Sequence, residues 1–110
     1  MSGIELHCDL EVAGERERQL LEVYQSTFQP AIRKQDGFRD VRLLKLRTAV
    51  AGEAPARCTY RLVISFDSEE QRQTWVASDL HQEVWPPMEA NLSGSKYILL
   101  LYDASGDTRF

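Results

Sequence analysis

The chain has 110 residues, the usual length of a single domain with one hydrophobic core. Its formal net charge of −4 comes from interleaved acidic and basic residues, and no run of Lys or Arg is long enough to follow a phosphate backbone. No apolar stretch approaches the ~20 residues that span a bilayer, and the N-terminus lacks a basic segment followed by an apolar run. We therefore expect a cytoplasmic protein that binds neither nucleic acid nor membranes.

The first third of the chain predicts a strand followed by a core-facing helix. Apolar and polar residues alternate from Ile4 to Val12, which is typical of a strand with one buried face. Pro30 lacks a backbone donor and predicts a kink or a restart of the last helical turn, and Asp36 and Gly37 end the helix. The apolar residues at helical spacing after Gly14 are Leu20, Leu21, Tyr24, Phe28, Ala31 and Ile32.

Two further strands are predicted to form a hairpin. The second covers Phe38 to Arg47, where the consecutive Leu43 and Leu44 indicate either a bulge or burial on both faces. A connection rich in Ala, Gly and Pro runs from Thr48 to Arg57. The third strand covers Cys58 to Phe66 and has the most regular alternation in the chain.

The two cysteines predict buried thiols. Cys8 and Cys58 fit no zinc or redox spacing, and each falls on the apolar side of a predicted strand. Small apolar side chains of this kind usually pack in a core. We expect neither a disulfide, nor a catalytic thiol, nor a metal site.

A broken helix is predicted after the third strand. Ser68 and Gln71 match a capping box, in which both side chains satisfy backbone donors at a helix start. The helix runs to about Ser78, where Ser78 or Asp79 caps a second segment. Pro86 and Pro87 should then bend the chain. The two segments carry the aromatic residues Trp75, His81 and Trp85.

The last strand, Tyr97 to Tyr102, is apolar on both faces. The element order β-α-β-β-α-β predicts an α+β, ferredoxin-like fold, with an antiparallel four-stranded sheet and helices on one face. One domain should cover residues 1–104, and residues 105–110 should form a tail.

Packing the open sheet face against a second copy would bury the last strand in a barrel-like homodimer. The alternative is a solvated face with scattered apolar residues.

These features together resemble one protein family. The first strand, the long helix, the Asp36-Gly37-Phe38 turn and the segment Trp75-Val76-Ala77-Ser78-Asp79-Leu80-His81 look like the antibiotic biosynthesis monooxygenase family of dimeric α+β barrels. The resemblance extends from about Ile4 to Tyr102. The family includes cofactor-independent oxygenases that act on polycyclic aromatic substrates, haem-degrading oxygenases, and members without known activity.

The resemblance argues against haem as a cofactor. Haem-degrading relatives pair a helix Trp, matched here by Trp75, with an Asn on the first strand and an iron-ligating His almost three helical turns after that Trp. Trp85 stands at the His position, and Cys8 or His7 stands at the Asn position. The matched site lacks the imidazole expected to ligate the iron, so we expect no cofactor.

A cofactor-free oxygenase must bind an aromatic phenol, take its proton and stabilise the anion. The candidates for catalysis are His81 and Trp75, and those for substrate binding are Tyr24, Tyr60, Trp75 and Trp85. Each also has a structural interpretation: the tryptophans as core or dimer contacts, the tyrosines as core residues, and His81 as a partly exposed residue with local hydrogen bonds. His7 should face away from the side that holds Cys8, outside this site.

Two hypotheses about function remain open at this point. The first is a small monooxygenase in which Trp75 positions a planar substrate and His81 or a tyrosine handles its phenolic proton. The second is a non-catalytic dimeric module whose cavity holds a small apolar ligand or is filled by side chains. The sequence offers no Arg that can be assigned to the pocket. The volume and the lining of the space between helices and sheet discriminate between the two hypotheses, because a filled core leaves no room for a substrate.

Overall fold

Four strands form one antiparallel sheet in a computed structural model that describes residues 3–55, 57–94 and 97–106. Their order across the sheet is β2-β3-β1-β4. The sequence neighbours β2 and β3 lie side by side as a hairpin, whereas the connections from β1 to β2 and from β3 to β4 each cross over one strand. The predicted ferredoxin-like fold is confirmed. The strands are β1 (Ile4–Leu10), β2 (Phe38–Lys45), β3 (Tyr60–Phe66) and β4 (Ile98–Asp103).

Helices cover one face of this sheet. The first helical stretch is continuous but changes geometry along its length, and the second is divided at Ser78, as predicted. The segments are a 3-10 turn (Gly14–Arg16), α1 (Glu17–Val23), a π-helical turn (Tyr24–Phe28), α2 (Gln29–Ile32), α3 (Glu69–Ala77) and α4 (Asp79–Glu89).

Pro30 explains the change of geometry in the first helical stretch. Its ring would collide with the carbonyl four residues earlier, and it cannot donate to that carbonyl. The wider π-turn from Tyr24 to Phe28 precedes it directly, and α2 restarts at Gln29 with the proline in its first turn. The restart expected from the sequence is therefore observed.

The turn into β2 needs glycine. Gly37 has a φ of +81°, and a Cβ at this position would lie 2.1 Å from Oε1 of Gln71. Neither alternative expected at Leu43 and Leu44 is found: the register shifts between Phe38 and Asp40 instead of forming a bulge there, and Leu44 is 43% exposed, so the strand is not buried on both faces. Leu43 pairs with Leu62 and Leu44 with Arg61, so the two leucines simply occupy opposite faces.

The prediction that the chain bends away at Pro86 and Pro87 is wrong, because both prolines lie inside α4. Each removes one backbone donor, yet the helix continues to Glu89 and the N–H of Ala90 donates to the carbonyl of Pro86 at 2.9 Å. Met88, in the same turn, is completely buried. Tertiary packing of this turn outweighs the two missing hydrogen bonds.

Two other expectations need correction. Leu21 is 39% exposed, because the helix turns its other face to the sheet and buries Leu20 and Tyr24 there. Cys58 precedes β3, which begins at Tyr60, and it is only partly buried. Cys8 is buried as predicted.

The sheet has one apolar face under the helices and one open face. Ile4, Cys8 and Leu10 of β1 face the helices and belong to the core. The open face carries polar and charged groups: His7 Nε2 lies 2.7 Å from Oε1 of Glu5, and Arg61 Nε donates to Oδ1 of Asp9 at 2.7 Å. His7 therefore faces away from Cys8, as expected.

The strand β4 lies at the sheet edge and remains exposed. Its apolar residues, Ile98 to Tyr102, are 43–53% accessible in the single chain. Leu100 pairs with His7 and so lies on the open face, whereas Leu99 pairs with Cys8 on the helix-covered side. An edge strand that is apolar on both sides is the surface that a second copy would have to cover.

Ser105 and Gly106, the start of the predicted tail, form a turn after β4, and residues 107–110 lie outside the described residues. In the described ranges, no helix combines the length and the apolar character needed to cross a bilayer.

Candidate functional site

A cavity of about 230 Å³ lies between the helices and the covered face of the sheet. The sheet supplies its floor, the π-turn and α3 and α4 supply its walls, and Leu99, 53% exposed at the sheet edge, is its most accessible lining residue. The cavity therefore reaches solvent beside β4. The lining residues are Leu6, Cys8, Phe28, Leu62, Ile64, Arg72, Trp75, Val76, His81, Trp85, Tyr97 and Leu99.

Ser78 fixes the position of the two residues that we expected to be catalytic. Its extended backbone separates α3 from α4, and its hydroxyl donates to the carbonyl of Trp75 at 2.7 Å. The same oxygen accepts a hydrogen bond from the backbone N–H of His81 at 3.2 Å, as an N-cap does. Trp75 at the end of α3 and His81 at the start of α4 are thus held against one another.

The imidazole of His81 lies between two indoles. Trp75 meets it edge to face with ring centroids 5.1 Å apart, and Trp85, one turn further along α4, stacks on it at 6.3 Å and 18°. Its Nδ1 is buried and has no hydrogen-bond partner among the described residues. Burial lowers the pKa of His81, so the ring is neutral at pH 7 and one of its nitrogens can accept a proton.

The other titratable groups of the cavity are poor bases. Burial raises the pKa of the Cys8 thiol to about 12, and burial also raises the pKa of Tyr97. Both groups therefore keep their protons near neutrality, and the guanidinium of Arg72 offers only hydrogen-bond donors. Of the cavity-lining groups, His81 is the one suited to accept a proton at pH 7.

Arg72 brings a positive charge to the cavity wall. Its side chain is only 19% exposed, and its Nε and Nη2 both donate to the carboxylate of Glu69, the second at 3.1 Å. The charge lies close enough to Cys8 to oppose, weakly, the rise in the pKa of that thiol. The cavity thus contains one neutral base and one cation in largely apolar surroundings.

Two of the predicted binding residues lie elsewhere. Tyr24 stacks on Phe28, and its hydroxyl donates to the carbonyl of Val41 at 3.3 Å, so it packs in the core. Tyr60 is buried beside Glu17, whose carboxylate contributes to the raised pKa of the phenol after burial itself. The structure brings Trp75, His81 and Trp85 together and leaves both tyrosines outside the cavity.

Tyr60 borders a larger concavity of about 380 Å³ along the β2–β3 hairpin. Its lining comes mostly from the exposed connection, and its charged pair, Arg61 and Asp9, is already satisfied. The smaller cavity gathers aromatic rings around an unpaired imidazole nitrogen and is therefore the better candidate site.

Sequence reasoning missed three residues of the site, namely Arg72, Tyr97 and the floor residue Cys8. Arg72 precedes Trp75 by three residues, so both lie on the same face of α3, and this spacing was a usable signal. The sequence contains no comparable indication for Tyr97. This residue precedes β4, and only the tertiary fold brings its ring against Trp85 at the cavity. Within the described part of the chain, no three His, Cys, Asp or Glu side chains are grouped closely enough to hold a metal ion.

Known proteins resemble this chain in three-dimensional structure but not in sequence. No family model matches the chain, and no curated protein matches it significantly. Solved structures do match. SnoaB, a cofactor-independent oxygenase from Streptomyces nogalater, is 14% identical and superimposes with a TM-score of 0.76 over 98% of both chains.

Two other solved structures agree with this match. A proposed antibiotic biosynthesis monooxygenase from Caulobacter crescentus is 14% identical, with a TM-score of 0.75 over 94% of this chain and 90% of that one. A dimeric ferredoxin-like protein of unknown function from Jannaschia is 13% identical, with a TM-score of 0.75 over 91% and 97%. The chain thus has the ferredoxin-like fold of these proteins, consistent with the resemblance to the antibiotic biosynthesis monooxygenase family.

Proposed function

We propose that the chain is a cofactor-independent monooxygenase that oxidises a small phenolic aromatic compound in the cavity between helices and sheet. The observation that carries the proposal is the buried Nδ1 of a neutral His81, which lies between two indoles and has no hydrogen-bond partner in the described part of the chain. A buried polar atom without a partner is costly unless a ligand or water satisfies it. A phenolic hydroxyl that enters from the cavity and displaces a side chain covering this nitrogen would supply that partner.

The size of the cavity favours a ligand of one or two fused rings. Pockets for drug-sized ligands measure roughly 300–1,000 Å³, whereas an apolar cavity of ~150 Å³ accepts benzene. The 230 Å³ available here lies between these values. Trp75 and Trp85 offer flat apolar surfaces against which such a ring system can pack.

The chemistry balances with dioxygen as the oxidant. His81 takes the phenolic proton, and the electron-rich anion forms a bond from its para carbon to one oxygen atom. The O–O bond then breaks. One oxygen stays as the new carbonyl, and the other leaves as water with the hydrogen of that carbon and the phenolic proton. The substrate supplies all the electrons, so the reaction requires no separate reductant.

The first prediction uses 1-naphthol as the probe, because it has two fused rings and a free para carbon. We expect the purified protein to bind it and to convert it to 1,4-naphthoquinone, with one dioxygen consumed and one water formed per molecule. Quinone absorbance and an oxygen electrode measure the reaction. Heat-denatured protein is the control for spontaneous oxidation.

The alternative function has a distinct outcome in the same experiment. A non-catalytic module would bind 1-naphthol, measured as quenching of tryptophan fluorescence, without consuming dioxygen. If 1-naphthol neither binds nor reacts, the cavity has no role with aromatic ligands of this size.

We also propose that the protein is a homodimer that uses the open sheet face. The exposed apolar residues of β4 support this assembly, and the Jannaschia structure with the same fold is described as dimeric. Burying one leucine contributes roughly 1.5–3 kcal/mol, so several of them on each copy form a substantial interface.

The second prediction tests the dimer directly. Sedimentation should give about twice the chain mass of 12.6 kDa. Leu100→Lys should shift the mass to that of the monomer, because it places a charge in the middle of the open face of β4. Val50→Lys is the matched control, since Val50 is exposed in the hairpin connection. A wild-type monomer at micromolar concentration would contradict the proposal.

A further inference from the structure

Arg72 occupies an unusual position for a surface residue. Exposed ion pairs at i,i+3 on a helix contribute little to stability and keep their charges in water. Arg72 pairs with Glu69 in this spacing, but its side chain is mostly buried and lines a cavity whose other walls are mainly apolar. A charge in such surroundings calls for a counter-ion, which Glu69 supplies.

Glu69 uses only part of the guanidinium. Nε and Nη2 donate to its two carboxylate oxygens, whereas Nη1 has no hydrogen-bond partner among the described residues. Arg carries five donors in a rigid plane, so the Nη1 side can still bind an anionic oxygen. Glu69 is the more exposed partner of the pair, with its side chain 30% exposed against 19% for Arg72, so water can reach its carboxylate when it releases the guanidinium.

We infer that Arg72 selects ligands that carry an anionic oxygen on the aromatic ring, and that Glu69 weakens their binding by competing for the same guanidinium. This inference rests on the proposed function in one respect, that the cavity takes a planar aromatic ligand. The anionic oxygen is either a ring carboxylate or the phenolate that His81 produces, since both present the same charge to Arg72.

The test uses ligands that need no proton transfer. 1-Naphthoate is ionised at pH 7.5, and 1-naphthamide has nearly the same shape without charge. Calorimetric titration should show the carboxylate binding on the order of tenfold or more tightly than the amide, as a charge-assisted hydrogen bond implies. 1-Naphthol is titrated in parallel, so that aromatic binding as such is measured separately.

Substitutions then assign the preference to these two residues. Arg72→Gln should abolish the preference for the carboxylate while the amide still binds, and Arg33→Gln, which removes an exposed charge elsewhere, should preserve it. Glu69→Gln should tighten the carboxylate roughly three- to tenfold and leave the amide unchanged. Glu70→Gln is its matched control, because Glu70 is the exposed neighbour on the same helix.

Each possible outcome either supports the inference or overturns it. Equal affinity of the two ligands, or an Arg72→Gln variant that weakens both equally, would overturn it. If Arg72→Gln does not fold, the Glu69→Gln titration decides alone, and an unchanged carboxylate affinity there counts against competition. Binding of 1-naphthol with no preference for the carboxylate would refute the role of Arg72 and leave the proposed function intact, whereas failure of all three ligands to bind would refute both.

Discussion

Replacing His81 by Asn is expected to lower the turnover of 1-naphthol about 10²- to 10⁴-fold, the usual contribution of a general base. Asn keeps a polar group of similar size but cannot accept the proton. The unfolding free energy should change little, because His81 is only partly buried and its Nδ1 makes no hydrogen bond to a described residue. Steady-state kinetics and chemical denaturation measure the two quantities independently.

The pH dependence of turnover follows from the same residue. A base works only when it is unprotonated, and burial lowers the pKa of His81 from its ordinary value near 6.5. Turnover should therefore be constant across neutral pH and fall only once the pH drops through this lowered pKa. His81→Asn should lose that acid limb.

Two controls separate this role from a structural one. Glu83→Ala changes an exposed residue of the same helix and should leave turnover and its pH profile unchanged. Imidazole added to His81→Ala should restore part of the activity if the missing group is the base. A His81→Asn variant with full turnover and an unaltered acid limb would show that another group takes the proton.

The strands and helices were largely predictable because local patterns determine them. The alternation in Ile4–Leu10 and Tyr60–Phe66 reflects a sheet with one buried face. Ser68 accepts the backbone hydrogen bond of Gln71, which is one half of the predicted capping box, whereas the Gln71 side chain accepts from the Ser68 hydroxyl. The errors arose where tertiary packing opposed local preference. Met88 holds the last turn of α4 despite two prolines, and the bulge of β2 lies beside Gly37 instead of at the paired leucines.

The candidate site was only partly predictable. Trp75, His81 and Trp85 are close in sequence, so helix spacing and the cap at Ser78 were enough to group them. Tyr24 and Tyr60 lie on core-facing elements as well, but periodicity states only which face is buried and not which part of the core contains a void. The mostly buried position of Arg72 depends on how α3 packs against β3, which the sequence pattern does not specify.

Trp75→Ala is expected to have the largest effect on stability, a loss of about 3–5 kcal/mol in unfolding free energy. The indole is 2% exposed and contacts Phe28 with ring centroids 6.1 Å apart, besides its contact with His81. Its removal leaves a void next to an existing cavity, which the surrounding side chains cannot easily fill. Denaturant titration measures this loss.

A stability loss alone does not distinguish a cavity wall from an ordinary core residue, so ligand binding must be measured in milder variants. Trp75→Phe keeps most of the apolar volume, and Trp85→Ala removes a partly buried ring on the other side of His81. Both should weaken 1-naphthol binding by more than they reduce stability, because Phe offers the ligand a smaller flat surface than Trp75 does and Ala removes the flat surface of Trp85. If both variants bind 1-naphthol as the wild type does, the two indoles do not hold the ligand, and their role is to pack the core of a structural dimeric module.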